Sequence, residues 1–284
     1  MKLYGVTVLW NQPSFIKYII PYIKHNKYDK FIIYNNSTDE SLQKLLDYNL
    51  TFIEIRQFPN PHYKETEFEI EKSRLFYTIF TEAKDEAEKT KETIWVQFSD
   101  FDEIIYTEEG LKQTLSIING YNIIPNNYNY LSRPCINLYQ PDENNLQNIE
   151  FIHFSKGIKC FYWPYWGSKT TLIKVNDFKN NYPFFGIGMH TSKLICEDKI
   201  IPKNLYEHGF IYYFHLKFLT EKDFIQNSKN SYLFQNDINY LTNKFAHAIS
   251  TSFPLELYFY NEGINKGFKQ SYLFDNYTLG DMSY

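Results

Sequence analysis

The chain has 284 residues, a hydrophobic content of 43 % and a formal net charge of −4 at pH 7. This length is typical of one large domain with additions, because a single hydrophobic core stops growing at roughly 250–300 residues. The acidic balance argues against a general nucleic-acid-binding protein, which would carry a basic face.

Cysteine usage and the distribution of apolar residues indicate the compartment. Three cysteines, Cys135, Cys160 and Cys196, form no Cys-x-x-Cys pair, so neither a zinc site nor a disulfide framework is predicted. No apolar run is long enough for a signal peptide or a transmembrane helix. We therefore expect a cytoplasmic protein without a transmembrane segment, and a peripheral association with a membrane stays open.

The beginning of the chain alternates short apolar runs with amphipathic segments. Residues 3–9 predict a buried strand, and the spacing of the apolar residues that follow predicts a helix over 14–26. Residues 31–34 predict a second strand and residues 51–55 a third, with a capped helix between them. Strands and helices that alternate in this way predict a parallel sheet.

A long helical pattern over 66–89 leads to the fourth predicted strand at 94–98. Arg74 stands beside the buried stripe of this helix. Most arginines in such positions lie on the surface, but one near the mouth of the sheet would be able to contact a phosphate group.

Three acidic residues, Asp100, Asp102 and Glu103, directly follow the fourth predicted strand. Ligands of open α/β sheets bind beyond the carboxyl ends of the strands, and strand alternation would point Asp100 and Asp102 the same way. Paired carboxylates favour Mg²⁺, Mn²⁺ or Ca²⁺, and Mg²⁺ is typically completed by a substrate's phosphates. The motif therefore predicts a metal–diphosphate site, and a solvated turn is the equally weighted alternative.

The second half of the chain has a different pattern. A short helix is predicted over 107–118, and strand-like apolar runs separated by Gly, Pro and Asn fill 121–215. Helical patterns return at 220–227 and 236–249. A mixed or antiparallel extension of the first sheet is therefore expected, followed by helices.

Segments of the sequence, taken in order, resemble the GT-A type of nucleotide-sugar glycosyltransferases, and more narrowly the family 2-like group with an Asp-x-Asp-Glu motif. Residues 6–11 resemble the first strand and its loop, residues 31–39 the second, and residues 98–104 the acidic motif. Residues 214–224 resemble a late motif of the group, although Leu216 replaces its aromatic residue.

This resemblance implies an α/β fold of the Rossmann-like GT-A type, with a mostly parallel central sheet flanked by helices and a mixed or antiparallel C-terminal extension. It implies a glycosyltransferase domain over 1–220, divided into a nucleotide-binding half (1–110) and an acceptor half (111–220), and a helical extension and tail over 221–284. The implied reaction moves a sugar from a UDP- or GDP-sugar to a glycan hydroxyl, in the synthesis of a polysaccharide, a lipooligosaccharide or a glycoprotein glycan.

The resemblance also implies a binding site for the nucleotide-sugar donor. Thr7, Leu9 and Asn11 would face the base, and Asn35 and Asp39 would reach the base or the ribose. Asn35 stands where the family often has Asp, but an amide can still read a pyrimidine edge. Turn formation and helix capping are the alternative roles of Asn35 and Asp39.

The metal site implied by the resemblance is centred on Asp102, which would bind Mn²⁺ or Mg²⁺. Asp100 would contact the ribose, the metal or a metal-bound water, and His215 would be a further ligand. The alternatives are a buried structural role for His215 and ligation by His190 instead. Lys217 is the implied partner of the diphosphate.

The catalytic base is implied to be one of two acidic residues, Glu197 and Asp198, which loosely resemble the acidic pair that deprotonates the acceptor hydroxyl in GT-A enzymes. A turn at the end of a strand is the alternative role of this pair.

Two further functions were compared with the transferase. A nucleotidyltransferase usually has a Gly-rich phosphate loop near its N-terminus, and this sequence has none. A catalytically silent carbohydrate- or nucleotide-binding domain of the same fold is the second alternative.

Overall fold

The chain forms two β-sheets with helices packed against them. The computed structural model describes residues 1–59, 65–120, 130–133, 136–140, 143–146, 151–152, 158–162, 169–178, 212–228, 238–251 and 253–255.

The described segments contain strands and helices in the following order. They are β1 (Lys2–Leu9), α1 (Ile16–Asn26), β2 (Lys30–Asn35), α2 (Ser41–Leu46), β3 (Ile53–Gln57), α3 (Glu65–Thr90), β4 (Ile94–Phe98), β5 (Glu103–Tyr106), α4 (Leu111–Gly120), β6 (Tyr130–Arg133), β7 (Ile136–Tyr139), β8 (Lys159–Tyr162), β9 (Lys169–Lys174), β10 (Tyr212–His215), α5 (Glu221–Ser228), α6 (Ile238–Thr251) and β11 (Phe253–Leu255).

The first sheet has the strand order β3-β2-β1-β4-β9-β6. Strand β1 pairs in parallel with β2 and β4, and β2 pairs in parallel with β3. Strand β9 is antiparallel to β4, and β6 is antiparallel to β9. The predicted α/β fold with a mostly parallel central sheet is therefore confirmed, and the carboxyl ends of β1, β2 and β4 lie at one edge of it.

Strands β1, β2 and β4 of the first sheet are largely apolar because both of their faces are covered. In β1, Leu3 and Leu9 belong to a core shared with α1 and α4, whereas Val6 and Val8 belong to a core shared with α3. Burial on both sides is typical of parallel sheets between helices, and it gives continuous apolar runs rather than alternation.

The second sheet, with the order β11-β8-β7-β10-β5, is the mixed extension that the sequence predicted. Strand β10 lies between two partners in it. His215 is opposite Glu103 on antiparallel β5 and also in register with Asn137 on parallel β7. Residues that are far apart in sequence are thereby placed side by side across three strands.

Strand β5 was not predicted, and it changes the start of the next helix. Residues 103–106 pair with β10, so α4 begins at Leu111 instead of residue 107. Strand β11 lies in the predicted C-terminal extension and pairs with β8. The division of the chain at residue 220 stays a prediction, and residues 256–284 lie outside the described residues.

No helix in the described segments combines the length and the apolar character that crossing a membrane requires.

Candidate active site

The acidic motif forms a tight turn between β4 and β5. Strand β4 ends at Phe98, and the backbone N–H of Glu103 donates a hydrogen bond of 3.1 Å to the carbonyl oxygen of Asp100. Asp100 and Asp102 were predicted to alternate as strand residues, but they follow the end of β4 and lie in a turn, where they have different partners. The turn is only partly solvated, since Asp102 is 6 % exposed whereas the side chain of Asp100 is 29 % exposed.

Asp102 faces His215 across the second sheet. Its Oδ2 atom lies 3.4 Å from Nε2 of His215, and its carbonyl oxygen accepts a hydrogen bond of 2.8 Å from the backbone N–H of Leu216. Burial raises the pKa of the Asp102 carboxyl, but the imidazole of His215 and the charge of Lys217 outweigh burial, so the pKa lies below its ordinary value. Asp102 is therefore a buried carboxylate that attracts cations.

The other nitrogen of His215 is held by Asn137. Nδ1 lies 2.9 Å from Oδ1 of Asn137, a buried residue on β7. The His215 ring therefore has an oxygen atom near each nitrogen: Oδ1 of Asn137 near Nδ1 and Oδ2 of Asp102 near Nε2. A neutral imidazole has only one N–H, so it donates to one oxygen and leaves a lone pair facing the other. A second proton on the ring or a metal ion at Nε2 removes this conflict.

Glu103 supports the turn from inside the protein. It is buried, accepts a short hydrogen bond from the hydroxyl of Tyr213 on β10, and accepts a second one of 3.1 Å from the backbone N–H of Asp100. The carboxylate of Glu103 therefore fixes the turn and leaves metal binding to its neighbours.

Asp100 is neutralised by a buried lysine that sequence reasoning missed. Lys72, on α3, is 2 % exposed, and its Nζ lies 2.7 Å from Oδ1 of Asp100 and 2.8 Å from Oε1 of Glu69. Burial lowers the pKa of Lys72, but the two carboxylates outweigh burial and raise it above its ordinary value. Lys72 is therefore charged, and it reduces the negative charge of the acidic turn.

Arg74, the predicted phosphate contact on the same helix, lies elsewhere. Its side chain is 62 % exposed and pairs with Glu71. Two residues correspond to about 200° around an α-helix, so Lys72 and Arg74 face nearly opposite directions. A phosphate contact of Arg74 stays a prediction. The helical pattern held no signal for Lys72, because one lysine among many charged residues resembles a solvated one.

The predicted base-binding residues at the ends of β1 and β2 hold two loops together. The carbonyl oxygen of Leu9 accepts a hydrogen bond of 2.8 Å from the N–H of Asn36, while the Leu9 side chain is in the core. Asn11, in the left-handed region at φ 49°, accepts a hydrogen bond of 2.8 Å from the N–H of Thr38, and its own N–H donates to Ser37 Oγ at 3.0 Å. We call the two hydrogen bonds of Asn11, with Thr38 and with Ser37, the loop clasp.

Asn35 and Asp39 have the turn-forming roles that were the alternative for them. Oδ1 of Asn35 accepts a hydrogen bond of 3.1 Å from the N–H of Ser37, and Oδ1 of Asp39 accepts one of 2.9 Å from the N–H of Ser41. A further contact of either residue with a nucleoside stays a prediction.

Two polar side chains at this edge are buried and unsatisfied. Within the described part of the chain, three buried atoms have no hydrogen-bond partner. They are the amide oxygen and the amide nitrogen of Asn36 and the Oγ1 atom of Thr7. Buried polar groups are nearly always hydrogen-bonded, so such atoms mark a place for a water molecule or a ligand. Thr7 was predicted from the sequence, whereas Asn36 was missed because its neighbour Asn35 matched the motif.

The other predicted residues divide into two groups. Lys217 is close enough for its charge to lower the pKa of Asp102. Glu197, Asp198 and the alternative ligand His190 lie outside the described residues. Among the described residues, no group of three His, Cys, Asp or Glu side chains is placed to hold a metal ion. Asp102 and His215 are two candidate ligands, so a metal ion would need further ligands from elsewhere.

Comparisons with known proteins identify a family. A family model described as Glycosyltransferase family 92 matches residues 5–247. No curated protein matches the sequence. Among solved structures, S. aureus TarS 1-349 is similar at 13 % identity and a TM-score of 0.39, with 87 % of this chain and 71 % of that chain covered. A TarS 1-349 complex with UDP-GlcNAc has 14 % identity, a TM-score of 0.38, and coverages of 89 % and 74 %.

Proposed function

Because the chain belongs to glycosyltransferase family 92, we propose that it moves a sugar from a UDP- or GDP-sugar to a hydroxyl of a glycan acceptor, with Mn²⁺ or Mg²⁺ at the acidic turn. The observation that carries the metal-dependent part is the arrangement of Asp102, His215 and Asn137. We assign the domain to the GT-A type, and the narrower family 2-like resemblance stays a prediction. We also propose a cytoplasmic location.

The residues present fit a divalent cation. The His215 ring lies between two oxygen atoms, and a metal ion beside Nε2 would accept the imidazole lone pair and the Asp102 carboxylate together. Mixed nitrogen and oxygen ligands suit Mn²⁺ better than Mg²⁺, which prefers oxygen alone. When bound, the metal supplies Lewis-acid stabilisation of the departing diphosphate.

The residues around the site would prepare it for an anionic donor. The ion pair between Lys72 and Asp100 lowers the negative charge that a diphosphate meets at the turn. Lys217 adds a positive charge near Asp102. On the nucleoside side, the unsatisfied atoms of Thr7 and Asn36 would supply hydrogen bonds to the base or the ribose. The predicted catalytic base, Asp198 or Glu197, stays a prediction.

Nucleotide binding tests this proposal directly. We expect UDP or GDP to bind in isothermal titration calorimetry with Mn²⁺ present and to bind much more weakly in chelator. At a concentration 100 times the dissociation constant, the correct nucleotide should stabilise the fold by about 2.7 kcal/mol. Absence of metal-dependent binding of either nucleotide would contradict the proposal. Binding without hydrolysis or transfer of any offered nucleotide-sugar would favour the silent binding domain.

Replacement of Asn36 should separate stability from binding. In Asn36→Leu the unsatisfied amide is removed, so the free energy of unfolding should stay unchanged or rise by about 1 kcal/mol. Affinity for the nucleotide should fall by roughly tenfold, because one polar contact is lost. Urea denaturation and calorimetry measure the two effects.

Asn35→Leu is the matched control for this substitution. It removes a satisfied amide, whose oxygen accepts the Ser37 N–H, and should therefore destabilise the fold. If Asn36→Leu lowered stability as much as Asn35→Leu and left nucleotide affinity unchanged, the donor role of Asn36 would be wrong.

Asn137 should act as a positioning residue for His215. Its amide oxygen favours the tautomer with hydrogen on Nδ1, which leaves Nε2 free to bind a metal. Asn137→Leu should therefore weaken Mn²⁺ binding by about 10–100-fold. In metal-free protein, ¹⁵N NMR of the ring should show loss of the Nδ1–H tautomer.

Asn137→Asp retains an oxygen acceptor and should restore that tautomer. An unchanged ¹⁵N spectrum of His215 in Asn137→Leu would show that Asn137 does not control the ring.

A further inference from the structure

A groove with a volume of about 690 Å³ opens where the start of α1, the end of α2 and the start of α5 meet. It is lined by the first turn of α1 and the residues before it, the end of α2 and the residues after it, the 3-10 turn Glu143–Leu146, and the start of α5. This volume lies in the range of ligand-binding pockets. None of the residues assigned to the acidic turn or to the base-binding loops lines the groove.

Three lysines line the groove: Lys17, Lys44 and Lys222. Lys44 forms an ion pair with Glu40 at 2.5 Å, but Lys17 and Lys222 have no carboxylate partner in the described segments. The ammonium group of Lys17 lies 4.6 Å from the centre of the Tyr18 ring. Neither lysine has a counter-ion in the described segments, so both can contact an anion.

The acidic residues of the groove are already engaged. Oδ2 of Asp223 accepts a hydrogen bond of 2.9 Å from Thr220 Oγ1, and Oδ1 of Asp47 accepts one of 2.8 Å from Gln43. With Lys44 paired to Glu40, two lysines and two aspartates remain in the lining, and of these charges the two aspartates already have hydrogen-bond donors within the protein.

Helix α1 adds to the positive potential. Its N-terminal turn faces the groove, contains no acidic residue and has no side-chain cap. The N-terminus of a helix carries a partial positive charge, which an anion stabilises. Ser14, which also lines the groove, has a buried Oγ atom without a partner in the described part of the molecule. A ligand anion would meet a donor at this atom.

The position of the groove relates it to the acceptor. Pro13 lies two residues after Asn11, and Thr220 lies five residues after His215, so the groove walls are within about 7 Å and about 18 Å of these residues along the chain. A glycan that presents its hydroxyl at the acidic turn can therefore extend into the groove.

We propose that this groove binds the anionic part of the acceptor, a glycan that carries uronate or phosphate groups. That the bound glycan is an acceptor rests on the proposed transferase function. Binding of an anionic sugar in the groove does not require turnover.

Calorimetry with defined sugars tests the groove. The probes are tetragalacturonate for uronates, mannose 6-phosphate for phosphates and maltotetraose as a neutral chain. Lys17→Glu combined with Lys222→Glu reverses the two unpaired charges. The matched control combines Lys89→Glu and Lys91→Glu, which have the same charge change, are exposed and precede β4, at the opposite edge of the sheet.

We expect at least one anionic probe to bind more tightly than maltotetraose, with an affinity that falls as salt is added. The groove variant should weaken that binding by about tenfold or more, while the control variant should change it by less than about twofold. Affinity for UDP or GDP with Mn²⁺ should be unchanged in the groove variant.

Three results would overturn the inference. These are no binding of either anionic probe, equal weakening in the groove and control variants, and a parallel loss of nucleotide affinity, which would assign the lysines to the donor. If wild-type protein binds tetragalacturonate or mannose 6-phosphate through the groove but binds no nucleotide, the transferase proposal fails and the anion site stands.

Discussion

Asp102→Asn should reduce metal-dependent sugar transfer on the order of a thousandfold, because a metal ion supplies several kcal/mol of charge stabilisation that an amide cannot retain. The substitution preserves the size of the side chain, so the contact with His215 and the turn itself should persist. The loss is expected in the rate at saturating donor with Mn²⁺ present, and added Mn²⁺ should restore little of it.

Two measurements make this result decisive. Circular dichroism and urea denaturation should show a folded Asp102→Asn protein, and Asp85→Asn, an exposed change on α3, should keep full activity. The proposal would be untenable if Asp102→Asn retained the wild-type rate in the presence of a chelator, because the reaction would then need neither the carboxylate nor the metal.

Lys72→Met should lower the free energy of unfolding by about 3–5 kcal/mol, since it leaves the carboxylates of Asp100 and Glu69 without their buried counter-ion. The pKa of Lys72 is raised in the folded state. Its contribution to stability is therefore complete below the unfolded pKa of about 10, and it is lost as the pH rises through the folded pKa. The difference between variant and wild type should therefore be constant from pH 6 to pH 9 in urea titrations.

A triple variant separates lost charge from lost packing. Combining Lys72→Met with Glu69→Gln and Asp100→Asn removes all three charges at similar volume, and should recover most of the lost stability. If the triple variant were as unstable as Lys72→Met alone, packing of the lysine stem rather than charge compensation would explain the effect.

The fold was predictable where local pattern decides it. Strands β1, β2 and β4 are buried on both faces, so their apolar runs were visible without any knowledge of their neighbours. Strand β5 was missed because Ile104 and Ile105 directly follow the acidic motif and were assigned to it rather than to a separate strand. Its pairing depends on β10, more than 100 residues later in the chain, and on the hydrogen bond from Tyr213 to Glu103.

The candidate site was predictable only where a motif names the residue. Asp102 was selected by its position after β4 and by the resemblance, His215 was selected by the resemblance alone, and the structure brings them to 3.4 Å. Asn137 depends on the register between β7 and β10, and Lys72 on the rotation of α3, and neither property can be read from local sequence. Asn36 differs from Asn35 only in the direction of its side chain.

The loop clasp has a consequence for the kinetics of donor capture. Asn11 joins the loop after β1 to the loop after β2 through Thr38 and Ser37, so the two loops that would flank the proposed nucleoside are already linked before it binds. Little conformational entropy is then lost on association, and the cleft is preorganised. Donor encounter should accordingly be a single-step process, without a slow closing phase in stopped-flow traces.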